Sequence, residues 1–240
     1  PTQSVPDLEA LLTIDNGTSG GGQGNVTQPD SSENTPELIE SEKITLEIPQ
    51  KLMTVTTISE SGTFSTETAR AFLSTPDIWE NTIQSILTES DANGYQGIIV
   101  DFEYIPENLG DAYVSFIRLL KSMTSLPIIV ALAPKISDDQ PGLLYEAHNY
   151  RELGNAADAV ILMTYEWGYT YGPPRAVAPI DQVRRVAEYA LTRIPAEKIM
   201  LGIPNYGYDW TLPYVSGESR AKSISNPGAI EIAAQNSAAI

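Results

Sequence analysis

Short, β-rich apolar runs recur along this chain at 52–58, 97–103, 128–134, 159–165 and 199–204. Each is too short for a buried helix and rich in Ile, Val and Leu, so each predicts a strand. Amphipathic segments separate them. Thr75-Pro76 predicts a helix start, with Thr as N-cap and Pro at the first turn, and Ile83, Ile86 and Leu87 follow on one face. Asn93-Gly94 ends that helix. A second helix is predicted over 111–123, with Tyr113, Phe116, Ile117 and Leu120 at helical spacing. A third starts at Pro179 and carries Ile180, Val183, Val186, Ala187, Ala190 and Leu191, and 143–147 also reads as helical. Strand–helix repetition implies parallel strands joined by right-handed crossovers. Strands covered on both faces read as continuous apolar runs, as these do.

An α/β chain of this kind closes either as a doubly wound open sheet or as a (β/α)8 TIM-type barrel. No glycine-rich phosphate loop follows any predicted strand, which weighs against the dinucleotide-binding version of the open sheet. Three strands end in polar or aromatic residues: Asp101-Phe102-Glu103, Met163-Thr164-Tyr165-Glu166 and Asn205-Tyr206. Barrel enzymes gather their chemistry at such C-terminal ends, so the barrel is expected. A complete barrel takes roughly 250 residues. Only five strands are clear, 8–14 and 43–49 are weak candidates for earlier ones, and nothing after Tyr214 reads as a closing strand. The expectation is an incomplete barrel over 43–240, lacking early and closing strands. Residues 1–42, with a Gly/Ser tract at 19–24 and many acids, read as a linker or poorly ordered arm.

Charge then narrows the partners. The chain of 240 residues carries 31 acidic and 14 basic side chains, a net charge of −17. Such a field repels phosphates, which argues against nucleic acid and anionic membrane and leaves a neutral ligand such as a carbohydrate open. No apolar run approaches the 18 or so residues of a membrane span, so no membrane insertion is expected. There is no cysteine and one histidine, which makes thiolate or histidine-rich metal sites and a Ser/His mechanism improbable. No cofactor and no metal are expected, and the oligomeric state is not legible.

Asp101 and Glu103 stand two apart on a predicted strand, and side chains alternate across a strand, so both point the same way. Two carboxylates that close do not ionise independently, and an ionised Asp101 favours a protonated Glu103. A pair of solvated loop acids is the competing reading of the spacing. Of the 12 tyrosines and 3 tryptophans, eight lie in two stretches: Tyr165, Trp167, Tyr169, Tyr171, then Tyr206, Tyr208, Trp210, Tyr214. Sugar rings stack on such faces, although about half of these rings are expected to be ordinary packing. Trp167 and Trp210 are the favoured sugar contacts and Trp79 a core residue. His148 reads as a structural histidine bonding a backbone carbonyl. Lys135 and Asp209 border the cleft or are solvated, and Arg184-Arg185 reads as a solvated helix face.

The stretch Gly94-Tyr95-Gln96-Gly97-Ile98-Ile99-Val100-Asp101-Phe102-Glu103-Tyr104 resembles the signature strand of family 18 glycoside hydrolases, Asp-Gly-x-Asp/Asn-x-Asp-x-Glu. Further along, Ala131-Leu132-Ala133-Pro134-Lys135, Gly142-Leu143-Leu144-Tyr145-Glu146-Ala147-His148, Leu162-Met163-Thr164-Tyr165-Glu166-Trp167-Gly168, Gly172-Pro173-Pro174 and 202–214 look like the family's spore-cortex and cell-wall branch, often LysM-associated. The resemblance runs from about Leu52 to the C-terminus. It implies substrate-assisted hydrolysis, with Glu103 as proton donor, Asp101 orienting the substrate's acetamido group and Tyr165 hydrogen-bonding it. It also implies that Trp167, Tyr206, Trp210, Glu166 and Met163 contact substrate. The implied partner is an N-acetylglucosamine-containing polysaccharide, peptidoglycan or chitin-like, met by a secreted bacterial protein at the cell wall or spore.

Three positions depart from the pattern. Gln96 replaces its first Asp, Ile99 stands where a middle Asp or Asn is usual, and Glu166 stands where many members have Asp. Ile99 is predicted to point inward beside Asp101 and to deprive it of a polar neighbour. Retained Asp101, Glu103 and Tyr165 favour an enzyme, whereas Gln96 and Ile99 favour a glycan-binding barrel without turnover. An unrelated barrel lyase or aldolase would need a Schiff-base lysine or a metal cluster, and no strand end offers either.

Overall fold

The computed structural model describes residues 51–238. The linker expected at 1–42 and the weak strands at 8–14 and 43–49 lie outside the described residues. Five parallel strands form one sheet in strict chain order: β1 (Met53–Thr56), β2 (Ile98–Asp101), β3 (Ile128–Leu132), β4 (Ala159–Leu162) and β5 (Ile199–Leu201). Helices α1 (Thr66–Leu73) and α2 (Trp79–Ala92) link β1 to β2. Then α3 (Gly110–Met123), α4 (Tyr150–Ala156) and α5 (Ile180–Leu191) each make one crossover. A doubly wound sheet reverses its strand order at a switch point. This sheet never reverses, so right-handed crossovers put every helix on one side, which is the wall of a partial (β/α) barrel.

The strands are shorter than the apolar runs that announce them. Ladder pairing stops at Asp101, Leu132, Leu162 and Leu201. Glu103, Tyr165 and Glu166 therefore sit just past the strands, in loops that the strands aim. Alternation persists through the ends. Ile98, Val100 and Phe102 are buried toward the helices, while Ile99, Asp101 and Glu103 are half-buried on the opposite face. Phe102 stacks on Tyr113 and Phe116 of α3 at 5.5 and 5.8 Å between centroids, and Phe72 meets Phe116 edge-on at 4.9 Å. Full burial of such a ring contributes about 1.5–3 kcal/mol by area alone. The residue between the two acids is thus held by the core. Trp79 lies in the same cluster, as expected, with Nε1 donating to the Phe72 carbonyl at 3.0 Å.

Several expectations need correcting. Pro76 opens a 3₁₀ turn (Pro76–Ile78), and α2 begins only at Trp79. Thr75 is not its cap; its Oγ1 donates back to Ala71 O at 2.9 Å. Residues 143–147 form turns rather than a helix. Ile180 and Leu191 of α5 are exposed, and the helix docks through Val186 and Ala190. Beyond Tyr214 a strand does occur, but it does not extend the barrel sheet. The strand β6 (Tyr206–Asp209) pairs antiparallel with β7 (Lys222–Ser225), followed by α6 (Asn226–Gln235). Tyr206 therefore begins its own strand instead of ending β5.

Candidate active site

Sequence alternation on β2 brings Asp101 and Glu103 to one face, and the bend after β4 brings Tyr165 to them. Burial pushes Asp101 up to about 6. Burial, and then the neighbouring Asp101 charge, push Glu103 up to about 7. Tyr165 is pushed up to about 12 by burial first, then by Asp101, Glu103 and Glu166. Three titratable groups that feel one another from two strands make one electrostatic unit. The floor between them is apolar: Ala131, Ala133 and Met163 form a small buried cluster joined by Leu144, Tyr145 and Tyr165. Met163 offers that floor an apolar side chain that is 8% exposed.

Strained backbone follows Glu103 and Tyr165. Tyr104, directly after Glu103, has φ of 52°, and Glu166, directly after Tyr165, has φ of 65°. Left-handed backbone at non-glycine residues costs energy and persists only where packing enforces it. At Glu166 the enforcing contacts are visible. Its Oε1 accepts from Tyr206 Oη at 2.5 Å and from Tyr208 Oη at 2.9 Å. Tyr206 and Tyr208 share a face of β6 because they are two apart, so the hairpin grips the end of β4 through one carboxylate.

The aromatic positions divide. Trp167 packs partly against the core and lines a cavity of about 270 Å³ with Pro134, Ile136, Tyr145 and Gln182. Trp210 is partly buried, and its Nε1 donates to Gly172 O at 2.9 Å, fastening the β6 arm to the loop after β4. Tyr169 and Tyr171 are exposed. Lys135, read as bordering the cleft or solvated, is 3% exposed, and its Nζ donates to Asp138 O and His148 O. His148 is buried and does meet a backbone carbonyl, that of Phe102. Asp209, Arg184 and Arg185 are exposed.

Asp101 Oδ1 is buried with no hydrogen-bond partner among the described residues; Ile99 beside it supplies no polar atom, the loss of a polar neighbour that the sequence predicts. Gly202 is a feature the sequence reading missed. A Cβ there would meet Tyr165 Cε1 at 2.5 Å and Leu162 O at 3.0 Å, so only glycine lets the phenol lie against β5. Its N–H donates to Leu162 O, and its carbonyl accepts from Thr164 Oγ1. Among the described residues no three His, Cys, Asp or Glu side chains gather to hold a metal ion, and no helix is long and apolar enough to cross a membrane.

Two carboxyls and a phenol thus gather at the strand ends of this half-barrel wall. The chain belongs to glycosyl hydrolases family 18, whose model matches residues 56–236. It is 44% identical over 208 residues to the cortical fragment-lytic enzyme of Bacillus subtilis, covering 85% of this chain and 48% of that protein. It resembles the crystal structure of the Bacillus megaterium spore cortex-lytic enzyme SleL at a TM-score of 0.74 and 43% identity, over 79% of this chain and 44% of that one. A chitinase from Chromobacterium violaceum matches at 0.68 and 25% identity, over 76% of this chain and 56% of that one. The chain spans about half the length of the curated relatives it matches.

Gly202→Ala is expected to displace the Tyr165 ring while leaving the sheet folded. Turnover of an N-acetylglucosaminide should fall by on the order of 10- to 100-fold with little change in circular dichroism. Unaltered turnover would show that the ring's position is not used.

Proposed function

We propose that the protein is a retaining glycosidase that cleaves β-linked N-acetylglucosamine in peptidoglycan, of spore cortex or cell wall, outside the cytoplasm. The observation that carries this reading is the Asp101–Glu103 pair on one face beside Tyr165. Glu103, pushed up to about 7 by burial and by Asp101, is suited to hold a proton at neutral pH and pass it to the glycosidic oxygen. As that bond breaks, the substrate's own acetamido oxygen bonds to the anomeric carbon and makes an oxazolinium-like intermediate. Asp101 orients the acetamido N–H and offsets its growing positive charge, and Tyr165 donates to the same group. Glu103, now ionised, takes a proton from water as the water oxygen bonds to the anomeric carbon and the acetamido oxygen leaves it, and configuration is retained. Met163 floors the sugar site, while Trp167, Tyr206, Trp210 and Glu166 border it. The relatives named for cortex lysis favour peptidoglycan over chitin as substrate.

The two ionisations set the pH profile. Turnover needs Asp101 charged and Glu103 protonated, so kcat/KM rises as pH climbs through about 6 and falls as it climbs through about 7. A narrow bell is expected from initial rates on purified peptidoglycan fragments. Glu103→Gln should abolish turnover while glycan binding, read by calorimetry, persists. Turnover in that variant equal to the parent's would remove Glu103 from the reaction, and binding without turnover in the parent would make the protein a glycan-binding barrel.

The second reading, a binder, is favoured by one observation, the unpartnered Asp101 Oδ1 beside Ile99. Ile99→Asn supplies an amide donor to an ionised Asp101 and is expected to lower its pKa. The acidic limb of the bell should then move below 6 and kcat should rise several-fold. An acidic limb that stays in place would show that Ile99 does not govern Asp101.

A further inference from the structure

The end of the β2–β3 ladder contains an irregularity with a chemical consequence for the site. The two strands pair Ile98 with Ile128, Ile99 with Ile129 and Val100 with Val130, and Ile98 N–H donates to Pro127 O at 2.9 Å. In a parallel ladder a residue donates to the residue before its partner and accepts from the residue after it. Carried on by two residues, this register calls for Ala133 N–H to donate to Phe102 C=O. Those two groups do not meet. Ala133 N–H donates instead to Nδ1 of His148 at 2.9 Å, and the other ring nitrogen, Nε2, lies 3.1 Å from Phe102 O. The imidazole occupies the place of the missing rung.

The partners also fix the proton. A backbone N–H can only donate, so Nδ1 accepts, and the ring is the neutral tautomer with its hydrogen on Nε2, donated to Phe102 O. Burial holds it neutral, lowering its pKa to about 4, with the nearby Lys135 charge acting in the same direction. The groups facing it are Tyr113 of α3, ring centroids 6.0 Å apart, and Lys135 of the loop after β3. Tyr150, two residues on, completes the clamp: its hydroxyl donates to Ala133 O and accepts from Lys135 N–H. His148 and Tyr150, from one short segment, thus satisfy the backbone where β2 and β3 part.

Phe102 is the residue between Asp101 and Glu103. We infer that His148 is a positioning residue for this pair: inserted as the last rung, it sets how far β2 splays from β3 and so fixes the peptide that carries both carboxyls. The inference rests on the hydrolase reading and adds a residue to it that touches neither substrate nor reacting atoms. A histidine serving only as filler would need no particular tautomer and no partner on β2.

The test uses the full chain. His148 is its sole histidine, so its ring nitrogens give unique signals in long-range nitrogen–proton NMR. The expected result is the Nε2–H tautomer with no titration between pH 5 and 8; an Nδ1–H tautomer, or titration near 6.5, would overturn the inference. His148→Leu fills the space with neither contact and should lower kcat by on the order of 10- to 100-fold with KM within about twofold. His148→Gln, whose amide carries one acceptor and one donor, should recover much of that loss. A folded His148→Leu protein with the parent's kcat would overturn the assignment. If His148→Leu does not fold, the parent's tautomer and the kinetics of His148→Gln decide. If the parent turns over no glycan, the hydrolase reading fails separately. The inference is then judged by carboxyl carbon NMR: the raised titrations of Asp101 and Glu103 should fall toward ordinary values in the Leu variant, and unchanged titrations would sink it.

Discussion

Period-two alternation at the end of β2 is the constraint on which the site rests. Phe102 must enter the core for Asp101 and Glu103 to leave it together, and α3 enforces this by stacking two aromatic rings on Phe102. A register slip of one residue would bury two carboxylates and expose a phenylalanine, a large penalty in both directions. The fold therefore sets the arrangement of the two acids through the residue between them. Their unusual ionisation follows from the same cause, because half-burial at a strand end removes water from one side of each carboxyl.

The surrounding loops extend this fixing outward by polar means. Past the strand ends side chains supply further backbone partners: His148 and Tyr150 at β2 and β3, Thr164 at β4 and β5. Glu166 draws the β6 hairpin onto the β4 end through two tyrosines. Tyr189 and Arg193 hold Asp138, whose pKa they keep well below the usual range, and so tether the loop after β3 to the α5 region. The geometry of the candidate site is a property of strand termini and the clamps that close them.

Much of this was legible in the sequence where one periodicity ruled. The five apolar runs located the five strands, and helical spacing in 111–123 located α3 nearly to its ends. The Asp101–Glu103 face followed from alternation alone. Helices α1 and α4 went unread because they have only 8 and 7 residues, too few for a helical period to show, yet each carries a cap signal. Ser65 Oγ accepts from Thr68 N–H, and Asn149 Oδ1 accepts from Glu152 N–H. The exposed Ile180 and Leu191 show the converse, an apolar stripe wider than the face that docks. What spacing could not reveal was contact between distant segments: Gly202 against Tyr165, Lys135 buried under the loop after β3, and His148 between two strands. Such features depend on three-dimensional closeness of residues from separate elements or loops, not on a repeat within one segment, and leave no local pattern.

The relatives place the chain in a family whose reaction makes a stereochemical statement, and stereochemistry reports directly on which group attacks the anomeric carbon. The decisive measurement is proton NMR of the products in the first minutes of hydrolysis of a β-linked N-acetylglucosamine oligosaccharide, before mutarotation. Attack by the substrate's acetamido oxygen, with Asp101 and Glu103 acting from one side, predicts the β-anomer first. Initial appearance of the α-anomer would mean direct attack by water and would contradict the account.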